Sequence, residues 1–85
     1  MDKIKTLYVF IVNQDGVEKI VTWPNENGIA VPLVYISQDE LENDKMRIKV
    51  QDVADKYKAY FELREYQLVE KSVETYYPAL KEYNA

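Results

Sequence analysis

Carboxylates, tyrosines and two serines are the groups that could do chemistry in this 85-residue chain, because it contains neither histidine nor cysteine. Histidine is the usual general base near neutral pH and the commonest transition-metal ligand, so serine triads lose their base and imidazole metal sites their donor. Without cysteine, disulfides, thiol nucleophiles, thiolate zinc and iron–sulfur ligation are excluded too. Ser37 and Ser72 have no adjacent base to activate them. The expectation is a protein that is not an enzyme and carries no cofactor.

The carboxylates Asp39, Glu40, Glu42 and Asp44 lie within six residues. Acidic groups at a helix start complement the exposed amides and the helix dipole, which accounts for them without a bound cation. Their spacing is not that of a calcium loop, which alternates oxygen ligands around a central glycine and ends on a distal glutamate. Asp52 and Asp55 sit three apart beside Lys56, the ordinary arrangement of a solvated helix face. Gly16 and Gly28, the two glycines, stand in nothing resembling a phosphate-cradling loop.

A net charge of −4 argues against general attraction to phosphates, and the eleven basic residues are dispersed apart from the small cluster Lys45, Arg47 and Lys49. Aromatic residues on a sheet, here Tyr8, Phe10, Trp23, Tyr35, Tyr60 and Tyr66, can stack bases, but Glu62 and Glu65 give that region the wrong charge. Nucleic acid is therefore not the expected partner. The eight tyrosines gather toward the C-terminus at Tyr57, Tyr60, Tyr66, Tyr76, Tyr77 and Tyr83. Such rings combine contact area with a polar tip and recur at interface hot spots.

The elements that position these groups can be read from local pattern. Ile4 to Val12 is β-branched and aromatic on both faces past Leu7, as in a strand interior to a sheet or covered by a tail or partner. Asn13-Gln14-Asp15-Gly16 closes a hairpin onto a second strand, Val17 to Trp23, which Pro24 stops. After the polar turn Asn25-Glu26-Asn27-Gly28, Val31 to Ile36 reads as a third strand, with Pro32 at its start or at an edge. Ser37-Gln38-Asp39-Glu40 matches a capping box, the Ser37 hydroxyl accepting from Glu40 and the Glu40 side chain reaching back to Ser37.

A helix from Gln38 to about Lys58 follows, with Met46, Val50, Val53, Ala54 and Tyr57 as its buried stripe. Leu41 and Ile48 fall off that stripe; a kink or break near Asn43-Asp44 would reconcile them, and the alternative is a short strand over residues 45–50 with the helix beginning near Gln51. Ala59 to about Val69 alternates as a fourth strand, and a strand, helix, strand run normally crosses over to a parallel neighbour. The tail from Glu70 reads as a helix on Val69, Val73, Tyr76 and Leu80 or as strand to Tyr77, and Pro78 would disrupt the helix.

These patterns predict one α+β domain over residues 1–85, with residues 70–85 as an extension or short helix. The fold is a single-layer sheet of about four strands in β-β-β-α-β order on one main helix. The longest apolar run, Leu7 to Val12, is too short for a signal sequence or a membrane span, so a cytoplasmic protein without membrane contact is expected. Its expected work is protein binding through Asp39, Glu40, Glu42, Asp44, Tyr60, Glu62, Tyr66, Tyr76 and Tyr77. Size and acidity suggest an adaptor or inhibitor occupying a basic surface, as small phage or mobile-element proteins do to host nucleic-acid machinery. The alternatives are self-association into a homodimer and sheet-mediated binding of single-stranded nucleic acid.

Overall fold

The computed structural model describes residues 3–79. The elements run β1 (Thr6–Gln14), β2 (Val17–Ile20), β3 (Thr22–Pro24), β4 (Ala30–Pro32), β5 (Val34–Tyr35), α1 (Gln38–Asn43), α2 (Met46–Tyr57) and β6 (Phe61–Gln67). β1 is the spine of an antiparallel four-stranded sheet, flanked by β6 along one side and by β2 and β5 in succession along the other. A second, two-stranded sheet is formed by β3 and β4. The α+β class and element order are as the sequence predicts.

The hairpin between β1 and β2 turns at Asp15-Gly16, both at positive φ, with Gln14 opposite Val17. That pair suits the tight turn whose twist matches the strands, and the Asn13 side chain accepts from the Gly16 amide at 3.0 Å. The predicted second and third strands are each broken in two. Val21 N–H donates to Phe10 C=O, Leu33 N–H to Val21 C=O, and Phe10 N–H to Leu33 C=O. Around this junction Val21 and Leu33 turn their side chains into the core, and the β3–β4 hairpin departs with Trp23 packed against it.

The helix is interrupted where Leu41 and the later stripe disagreed. α1 ends at Asn43 with Asp44 as its cap, Lys45 takes a left-handed conformation, and α2 begins at Met46. This rules out the alternative strand over residues 45–50 and replaces one main helix with two. Leu41, Met46 and Val50 then join Phe10, Val21, Leu33 and Tyr35 in one core. Tyr57, expected in that core, is 65% exposed because the stripe runs past the end of the sheet, and the Lys56 amine lies 5.3 Å from its ring centre.

β6 is antiparallel to β1, seven residues in unbroken register from Thr6 opposite Gln67 to Val12 opposite Phe61. The expected parallel relation exists, but between β5 and β6, with β1 lying between them. The tail is neither the helix nor the strand read from its pattern but an extension: from Leu68 to Ala79 the chain forms no helix or strand and every residue is exposed. Leu80 and Tyr83 lie outside the described residues. The radius of gyration, 17.9 Å, exceeds the roughly 12 Å of a compact chain this long.

Lys58 closes α2 at φ 55°, a left-handed cap that a Cβ disfavours and glycine adopts freely. Lys58→Gly should therefore stabilise the fold by about 1 kcal/mol, raising Tm by roughly 4–8 °C in thermal denaturation. No change would mean that the α2 terminus frays out of this conformation.

Candidate protein-binding surface

The predicted contact residues occupy three separate places. Asp39, Glu40, Glu42 and Asp44 lie exposed on and just after α1, whose Leu41 faces the core. Ser37 Oγ accepts from the Glu40 amide at 3.2 Å, so the Ser37 half of the capping box forms. Glu42 is held by Arg47 at 2.6 Å. No group of three or more potential metal ligands comes together among the described residues.

Asp44 and Glu40 sit close enough to Tyr35 to influence its hydroxyl. Burial first, then the Asp44 and Glu40 charges, push the Tyr35 phenol up to about 12. An unfolded tyrosine ionises near 10, so between pH 10 and 12 the folded state holds a proton that the unfolded state releases, and stability falls as pH rises. Tyr35 alone should remove on the order of 1–2 kcal/mol between pH 10 and 12. In denaturant titrations across that range, Tyr35→Phe should flatten the alkaline limb; an unchanged slope would place its cause elsewhere.

Glu62 and Tyr66 share the opposite face of the sheet, and Tyr60 stands exposed just before the strand begins. The register puts Glu62 beside Ile11 and Tyr66 beside Leu7, on the side away from Phe10 and the helices. The acidic helix start and this tyrosine face are thus not one surface. What organises the outer face is Arg64, a residue outside the predicted contact set. Its guanidinium bonds Glu18 at 2.5 Å and 3.0 Å, Glu62 at 2.5 Å and the Tyr66 hydroxyl at 3.2 Å.

Arg64 stands opposite Val9 and Glu18 opposite Asn13, so the bond between them passes diagonally over Ile11. Val9 and Ile11, the second apolar face of β1, are buried on this same side of the sheet. Arg64 holds the Glu18 carboxyl below the ordinary carboxylate range, first by hydrogen bonding and then by its charge. The alternation of Glu62, Arg64 and Tyr66 along one strand face was the available signal for this latch. Its other half, Glu18, is 46 residues away, and only the fold brings it near.

The third place is the arm after β6. Among the described residues its last ties to the domain are the Leu68 amide on Lys5 C=O at 2.8 Å and Glu70 beside Lys3 at 4.0 Å. Beyond them Val73 is 71% exposed, and Tyr76 and Tyr77 are each 83% exposed. The Tyr76 hydroxyl donates to Glu74, which raises its pKa. At the domain end where Tyr57 emerges, an open groove of about 810 Å³ is lined by residues including Trp23, Val53, Tyr57, Tyr60 and Phe61.

No protein-family model matches the chain, and neither does any curated protein or solved structure. No helix among the described residues is long and apolar enough to cross a membrane.

Proposed function

We propose that this chain is a non-catalytic protein-binding module whose working element is the arm after Gln67. The observation that carries this is an extended run bearing Val69, Val73, Tyr76 and Tyr77 that buries none of them against its own domain. Exposing so much apolar and aromatic side chain on an ordered scaffold is costly in water unless a second surface takes it up. The partner is a protein, and the net charge of −4 favours one with a basic face, such as an adaptor or inhibitor finds on nucleic-acid-processing machinery. The lack of cysteine suits a cytoplasmic setting.

Binding of single-stranded nucleic acid on the sheet has weaker support. Phe10 and Tyr35 are buried in the core, Tyr8 and Trp23 pack against it, and Arg64 on the outer face is already engaged by Glu18 and Glu62. The test is affinity capture from lysate by the intact chain beside a Tyr76→Ala/Tyr77→Ala variant. A stoichiometric protein retained by the first and lost by the second is expected. Equal retention by both, or no protein retained by either, would refute the reading.

A further inference from the structure

The main sheet has one long edge that nothing covers among the described residues. β2 is four residues long and β5 two, whereas β6 offers seven in regular register, with no proline, glycine, lysine or bulge to discourage pairing. The direction of its free groups follows from the ladder. The Leu68 amide bonds Lys5, and Phe10 spends its N–H and C=O on Leu33 and Val21, away from β6. In an antiparallel ladder bonded and non-bonded pairs alternate, so Glu62, Arg64 and Tyr66 bond β1. Phe61, Leu63, Glu65 and Gln67 therefore aim their backbone N–H and C=O outward, where β6 has no second strand among the described residues.

We propose that two copies of this chain join through β6, edge to edge and antiparallel, about a two-fold axis at Leu63. Only outward-facing residues can bond outward-facing residues, which restricts the axis to whole-residue positions. At Leu63, Glu62 of each copy meets Arg64 of the other, Tyr60 meets Tyr66, and Phe61 meets Glu65. An axis at Glu62 or Arg64 would set like charges face to face, and an axis at Glu65 would do the same with its carboxylates. Axes nearer either end leave part of the edge unpaired.

The core side fits the same register. A cleft of about 280 Å³ between α2 and β6, lined by Val50, Ala54, Phe61, Leu63 and Arg47, lies beside this edge. Leu63 meets Leu63 there, and Glu65 of the second copy arrives at Phe61, beside a cleft that also contains the Arg47 cation. The two Gln67 residues stand about 27 Å apart, at roughly 3.4 Å per residue, and the arms leave in opposite directions. Such a dimer presents its arms as a bivalent pair, which strengthens attachment to any partner with repeated sites.

The test is sedimentation equilibrium of the full chain over a wide concentration range, with two sets of variants. The intact chain should move from 10.1 kDa to twice that mass. Glu65→Pro removes an outward N–H without touching the ladder to β1, so it should stay folded by circular dichroism and remain monomeric. In the cysteine-free background, single Leu63→Cys, Arg64→Cys and Glu65→Cys variants are oxidised separately. Leu63→Cys alone should crosslink efficiently, because directly opposed bonded residues lie about 5.5 Å apart between Cα atoms, within disulfide reach.

An intact chain that stays monomeric throughout would overturn the proposal, as would a dimer that survives Glu65→Pro. Preferential crosslinking at Arg64→Cys or Glu65→Cys would overturn the register. Tyr76→Ala/Tyr77→Ala should leave the dimer intact, so failure here and failure of the arm reading are told apart.

Discussion

Leu41→Ala should cost about 3–4 kcal/mol, the largest stability loss expected of a single substitution in this chain. Leu41 is 0% exposed and is the side chain by which the six-residue α1 enters the core. A helix that short has no independent stability, so its place depends on this anchor and on the Ser37 cap. Domains of this size are stable by only about 5–10 kcal/mol, so the variant should lose a third or more of the total and melt some 15 °C lower. Thermal or urea denaturation followed by circular dichroism measures this directly. A loss below about 1 kcal/mol would show that the site collapses around the gap and that α1 is not anchored as described.

The same residue shows how far local pattern reaches. Leu41 failed to fit the stripe through Met46, Val50 and Val53, and that misfit correctly located the interruption that the left-handed Lys45 supplies. The Asp15-Gly16 turn, the Ser37 cap and the proline stop were equally legible, because each is decided within a few residues. The split of the second and third strands was not. It depends on Val21 and Leu33 sharing the backbone of Phe10, Val21 on its C=O and Leu33 on its N–H, a contact between segments that are distant in sequence.

Pairing direction was only partly legible for a related reason. The crossover from β5 to β6 obeys the parallel expectation, yet β1 fits between them, and no local periodicity records which strand is inserted. Tyr57 illustrates the opposite failure. Its position on the helical stripe was read correctly, but burial also requires something opposite, and the sheet ends before it. Among the contact residues, the weak patterning around Tyr76 and Tyr77 left packing and exposure equally open, and the fold decides for exposure. The separation of the acidic helix start from the tyrosine face required knowing which side of the sheet α1 covers.

That separation bears on the second large effect, because it leaves the arm as the principal apolar contact element. Replacing Tyr76 and Tyr77 together with alanine should weaken partner binding on the order of a hundredfold or more, since a well-packed interface tyrosine commonly contributes about 2 kcal/mol. The fold should not notice, because both rings are 83% exposed and neither belongs to the core cluster. Calorimetric titration of the captured partner, run beside thermal denaturation of the same variant, reads both quantities at once. Lost affinity with unchanged Tm supports an arm that works only when occupied. A fall in Tm of more than a few degrees would instead mean that the arm folds back on its own domain, and its tyrosines would then be packing residues rather than a binding element.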